Sequence, residues 1–135
     1  VKDSVWSKLK GKKSERTDEN LIKEVIVSAY MDGIQIDPNV KLVKKGFHPD
    51  FNMYVKQDGK LVKVSRDDLV ATVAKKEKAK EKVTYALEVV DVVGKTGNAK
   101  LIVYKDGKLT FSDYFLLYHF DDGWKIVAKH YEEHK

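Results

Sequence analysis

Residues 113–129, DYFLLYHFDDGWKIVAK, decide the fold reading. An apolar, aromatic-rich run stops at Asp122-Gly123 and resumes as Trp124-Lys125-Ile126-Val127. That is the pattern of two antiparallel strands joined by a tight turn. Strand alternation places Tyr114, Leu116, Tyr118 and Phe120 on one face, and Asp113, Phe115, Leu117 and His119 on the other. Both sets are largely apolar, so both faces should be covered. The first set is expected to face helices and a pocket, and the second a partner subunit.

Working outward, residues 83–93 (VTYALEVVDVV) and 99–105 read as strands separated by Gly94-Lys95-Thr96-Gly97. Asp106-Gly107 turns the chain into residues 109–120, and 124–131 form the last strand. Upstream, residues 51–57 and 60–64 flank Asp58-Gly59, a strong hairpin signal. His48-Pro49-Asp50 reads as a turn. Three helices precede or interrupt the strands. Thr17 caps the first, with Asp18 and Glu19 in its opening turn. Its apolar stripe is Leu21, Ile22, Val25, Ile26, Ala29 and Tyr30, and Gly33 is expected to end or loosen it. Asp37-Pro38 opens a second, ending at Gly46. Ser65 caps a third, with Leu69, Val70, Val73 and Ala74 buried, and the lysine-rich tract 75–82 is expected to finish it. The order is α-α-β-β-α-β-β-β-β, an α+β layer arrangement.

The 135 residues suffice for one domain with a real core. There is no cysteine, which excludes disulfides, cysteine-ligated zinc and a thiol nucleophile. No run approaches the roughly 18 apolar residues of a membrane span, so no membrane partner is expected. The formal charge of +5 resolves into 6 basic and 2 acidic residues in 1–17, against 20 and 19 in 18–135. Of the 26 basic side chains only Arg16 and Arg66 are arginines. Base reading favours arginine's planar fork, so no nucleic-acid partner is expected. Residues 1–17 are read as a basic leader, whose Trp6 and Leu9 could dock on the body, and 18–135 as a single domain. The chain starts at Val1 without an initiator Met, which suggests removal of an upstream segment. That leaves a cytoplasmic or an exported location open.

Residues 29–33 (AYMDG), 46–50 (GFHPD) and 113–129 resemble the nuclear transport factor 2-like superfamily, and within it the putative lumazine-binding family. The resemblance covers about residues 18–131. It implies a cone-shaped, cystatin-like α+β fold, with three helices packed on a curved, mostly antiparallel sheet around an open pocket. It also implies a flat, pteridine-like ligand and pairing through the outer sheet surface. Isomerases of that superfamily carry a carboxylate base on the first strand. Tyr54 and Val55 stand there instead, and Leu116 stands where a second acid belongs, so that enzyme chemistry is not indicated.

Residues 104–131 hold 8 of the 14 aromatic side chains. One reading makes them core. The other lets them line a pocket for a flat heterocycle, with Tyr30, Phe47, Tyr54, Tyr114, Tyr118 and Trp124 as walls and His48 and His130 as polar handles. Two alternatives accompany it. One is a cyclase, isomerase or dehydratase using His130 as acid/base, helped by Asp113 or Asp50. The other is an accessory protein that pairs with a second copy through Phe115 and Leu117. The four histidines lack a zinc-site spacing, so no metal is expected. Gly94-Lys95-Thr96 lacks the upstream glycines of a phosphate loop. No cofactor is called for.

Overall fold

The computed structural model describes residues 17–135, so the expected basic leader lies, but for Thr17, outside the described residues. Helix α1 (Asp18–Ile26) is capped by the Thr17 hydroxyl, which accepts from the Asn20 amide at 3.2 Å. It does not end at Gly33. It continues as a π-helix through Val27–Ile36, closed by a wide-turn bond from the Asp37 amide to the Asp32 carbonyl. Helix α2 (Val40–Gly46) follows, capped by Asn39 rather than by Asp37.

Strand β1 (Phe47–Gln57) starts directly from α2, taking in the His48-Pro49-Asp50 segment expected as a turn. The segment is irregular, because the pairing of β1 slips between Phe47 and Asn52. Asp58 and Gly59 both take positive φ, 52° and 77°, as the tight hairpin turn into β2 (Lys60–Ser65) requires. Ser65 and Asp68 form a reciprocal capping box at the start of α3 (Arg66–Ala74). The lysine-rich tract does not prolong this helix. Instead it crosses the end of the π-helix, where Lys76 Nζ donates to the Ile34 carbonyl at 2.8 Å and the Ala79 amide to the Ile36 carbonyl at 2.9 Å. These bonds satisfy carbonyls that a helix end leaves orphaned. Strands β3 (Val83–Val93), β4 (Thr96–Lys105), β5 (Lys108–Phe120) and β6 (Gly123–Glu133) complete the chain as a meander.

The six strands form one sheet in the order β2-β1-β6-β5-β4-β3. The α+β class and the three helices stand, but the expected cone does not. β1 runs parallel to β6 while the other neighbours are antiparallel, so the sheet is mixed. β2 and β3 end it as unpaired edges, and it is neither closed nor curved around the helices.

The core lies between one sheet face and α1 with its π-helical continuation. Ile22, Ile26 and Met31 meet Leu101, Phe115, Leu117 and Ile126, all at most 1% exposed. Each such side chain contributes about 1.5–3 kcal/mol on burial. Phe115 and Leu117 therefore face the helices and not a partner subunit. Tyr114, Leu116 and Tyr118 are 40%, 54% and 52% exposed on the outer face. The alternation was legible, but its direction was inverted. Asp113, placed with that second set, is fully buried as well.

Candidate functional site

The inward side of β5 and β6 carries an ionic group where an apolar one is usual. Asp113, 0% exposed, accepts a hydrogen bond at Oδ2 from the Tyr30 hydroxyl at 2.8 Å. Its Oδ1 lies 2.9 Å from Lys129 Nζ, itself only 5% exposed. Gln35 Nε2 donates to the Tyr30 oxygen at 2.8 Å. The Tyr30 hydroxyl thus donates to the carboxylate and accepts from the amide, which fixes the orientation of the Gln35 side chain. Buried charges persist only when paired and hydrogen-bonded, and this network meets that condition.

Two departures from regular geometry assemble it. In an α-helix, Gln35 would sit roughly 140° around the axis from Tyr30. The wider π-helical turn brings the two side chains into contact, and such turns concentrate at functional sites. In β6, Ala128 pairs with Leu116 and Ile126 with Leu117, so Val127 is an extra residue. This bulge reverses the phase of the strand. Trp124 and Ile126 point inward before it and Lys129 after it, while Ala128 is half-buried and His130 exposed.

Burial holds the Tyr30 phenol well above its ordinary pKa, and the Asp113 charge and hydrogen bond add to the rise. Burial lowers Lys129, against the opposing pull of Asp113. Tyr131 is raised by burial and then by Glu133.

Above this network opens a cavity of about 140 Å³, lined by Ile34 and Gln35 of the π-helix, Met53 of β1, Leu69 of α3, Lys129 and Tyr131, with Tyr30, Phe47 and Phe111 completing its wall. The Lys129 ammonium lies 4.3 Å from the centre of the Tyr131 ring and 5.0 Å from that of Tyr30. Two buried atoms of the network have no hydrogen-bond partner, Gln35 Oε1 and Asp113 Oδ1, the latter having only its ionic contact with Lys129. A second, broader groove of about 400 Å³ runs between α1, α2 and the β5–β6 turn. Two of its polar side chains are held by neighbours. Trp124 Nε1 donates to Asp18 Oδ1 at 3.1 Å, and Lys125 Nζ meets the Lys45 carbonyl at 2.8 Å and Asp122 at 3.4 Å.

The eight residues read from sequence as one pocket do not come together. Tyr30 and Phe47 line the cavity. Trp124 lines the other groove. His48 stacks on Phe120 with ring centres 4.6 Å apart, and its Nδ1 accepts from the Asp50 amide. Tyr54, Tyr114 and Tyr118 are exposed on the sheet, and His130 is exposed beside the Tyr114 ring at 5.2 Å. The expected aromatic-lined stacking pocket is therefore corrected. Of the tyrosines that were to build it, Tyr54, Tyr114 and Tyr118 lie on the outer face, and Tyr30 joins an ionic network with Asp113 and Lys129. The acid/base role of His130 falls for the same reason, because Asp113 is buried on the opposite side of the sheet. An accessory role through Phe115 and Leu117 falls with their burial.

Lys129, Gln35 and Tyr131 were missed, and Asp113 was named only as a helper of His130. Only a buried-charge argument at Asp113, paired with a lysine two strand positions away, could have found them. Among the described residues no cluster of three or more His, Asp or Glu side chains could hold a metal ion. No helix among them is long and apolar enough to cross a membrane.

A family model described as putative lumazine-binding matches residues 17–132. No curated protein matches. Among solved structures, the chain is similar to a nuclear transport factor 2-like protein of unknown function from Shewanella baltica. The two share 21% identity and a TM-score of 0.74, over 86% of this chain and 93% of that one. A counterpart of unknown function from Methylobacillus flagellatus shares 27% identity with TM-score 0.73, covering 91% and 97%. Another from Silicibacter pomeroyi shares 18% with TM-score 0.71, covering 85% and 94%.

Proposed function

Because the chain belongs to the putative lumazine-binding family, within the nuclear transport factor 2-like superfamily, we propose that it binds a small molecule in the cavity above Tyr30, Asp113 and Lys129. The observation that carries this reading is the ionic network itself. A buried carboxylate–lysine pair stabilises a fold little or not at all relative to apolar packing. Here it sits at the base of an open cavity that has an unsatisfied acceptor in its wall. Few, convergent polar groups in an otherwise apolar concavity are what ligand orientation needs.

Tyr30 and Phe47 act as walls, and Leu69 guards the α3 side. Leu69 is half-buried in the cavity wall, so a larger side chain there occupies the opening. Lumazine is the natural first probe, followed through the anisotropy of its own fluorescence. Wild-type protein binds it saturably, and Leu69→Trp weakens binding at least tenfold with the circular dichroism spectrum unchanged. Equal binding by the two proteins places any ligand elsewhere.

A second reading concerns assembly. Tyr114, Leu116 and Tyr118 form an exposed apolar strip on the outer sheet face, flanked by Lys100 and His130 across the neighbouring strands. Apolar strips rimmed by polar residues mark interaction surfaces. A second copy of this chain, related by a two-fold axis, covers it.

A further inference from the structure

We infer that Lys129 is a covalent site, an amine that captures a small neutral aldehyde or ketone from the cavity as a Schiff base, with Asp113 carrying the proton. The inference rests on the binding reading above and names the chemistry of that same site. Lys129 lines the cavity, as do the groups nearest its ammonium. The Tyr131 and Tyr30 ring centres lie 4.3 and 5.0 Å from Nζ, and the Met53 sulfur 3.8 Å. Asp113 Oδ1 stands 2.9 Å from the same nitrogen. The amine thus meets the cavity wall and a buried carboxylate at once. Solvated lysines are almost wholly protonated at neutral pH, and removal from water is what makes a lysine nucleophilic. Burial shifts Lys129 in that direction, against the opposing pull of Asp113.

Charge selects the class of reagent. Asp113 takes an ammonium proton, the freed lone pair forms the C–N bond, and that proton passes to the carbonyl oxygen. A second proton follows the same route from nitrogen through Asp113. The carbinolamine C–O bond then breaks, water leaves, and the C=N bond forms. The sum is an ammonium and a carbonyl giving an iminium and water. The product is still a cation, so the pairing with Asp113 survives, and the Tyr131 and Tyr30 ring faces still meet a positive charge. An acyl donor would instead leave a neutral amide and strip the fully buried Asp113 of its counter-ion, the costly way to break such a pair. An anionic carbonyl compound would bring a second negative charge beside that carboxylate. Size narrows the class further. Cavities of about 150 Å³ admit a benzene-sized ring. At about 140 Å³ this one takes a single ring or a short chain against Phe47, Leu69 and Phe111.

The test is reductive trapping in the full chain. Benzaldehyde and cyanoborohydride are added at about pH 7, where ordinary lysines stay protonated. Hydride reduces any C=N bond to a stable secondary amine, and peptide mass spectrometry locates it. The inference predicts that Lys129, although only 5% exposed, is labelled about tenfold faster than any other lysine. In Leu69→Trp, whose added ring occupies the opening, that lead disappears while the exposed lysines react as before. Labelling of Lys129 no faster than that of exposed lysines overturns the inference, and so does equal labelling of Lys129 in the two proteins. If lumazine nonetheless binds wild-type protein more tightly than Leu69→Trp, the binding reading stands without the covalent step. If it binds both alike or neither, both fall.

Discussion

Tyr30 is the joint of the buried network, since its hydroxyl is held from one side by Gln35 and holds Asp113 on the other. Removing it with Tyr30→Phe strands an amide donor and a carboxylate oxygen, a loss of about 1–3 kcal/mol at neutral pH. The same residue shapes the alkaline limb of stability. Its phenol is raised in the fold, so the unfolded chain loses that proton first, at its ordinary value near 10.0. The contribution of Tyr30 is complete below that pH and lost as pH climbs towards the folded-state value. Tyr131 acts in the same sense. Lys129 acts oppositely, because it is lowered in the fold from an ordinary 10.5 and its contribution grows with rising pH up to there. Lys76, lowered by burial and then by Lys105, follows Lys129. The lysine contributions therefore rise towards pH 10 and the tyrosine contributions turn down above it. Melting temperatures measured across this range should show a shallower alkaline fall for Tyr30→Phe than for wild type. A uniform displacement of the whole curve would remove Tyr30 from the account. None of this was visible in the sequence, where Asp113 sits among aromatics on a face expected to meet a partner subunit.

At the scale of elements, the turn chemistry was legible and the irregularities were not. Asp58-Gly59 and Asp106-Gly107 both show the paired positive φ that a two-residue hairpin demands, and both were readable from residue type. The π-helical winding of 27–36 leaves no such mark, because it changes which residues share a face without changing their composition. The bulge at Val127 has the same effect in β6. Strict alternation from Trp124 puts His130 inside and Lys129 outside, and the one extra residue exchanges them. Alternation carried through β6 without the bulge therefore favours the histidine over the lysine. The end of α2 offers a test of how tightly the helical layer is set. A Cβ at Gly46 would collide with Ala29 Cβ on the π-helix. Gly46→Ala should cost about 1–3 kcal/mol as overpacking. Adding Ala29→Gly should restore most of it in urea unfolding. An unchanged midpoint for the single variant would mean that the two helices are not in close contact.

For the whole molecule, the element order gave the class and the resemblance gave the superfamily, but neither gave the shape of the sheet or which side of it faces out. The outer face of β5 now bears the assembly proposal. Leu116 is 54% exposed and pairs across the sheet with Asn98 and Ala128, so Leu116→Lys perturbs the surface without touching the core. Light scattering at micromolar concentration should report a dimer for wild type and a monomer for Leu116→Lys. A wild-type monomer at all concentrations would refute pairing through this face. The cavity lies on the opposite side of the sheet, so binding and assembly are separable in the same samples. The central claim, a small molecule seated over the buried network, is tested most directly by following backbone and side-chain amide resonances while lumazine is added. The account predicts saturable shifts centred on Tyr30, Ile34, Gln35, Lys129 and Tyr131, including the Gln35 side-chain amide. Shifts centred instead on Trp124 and Lys125, or none at saturating ligand, would contradict it.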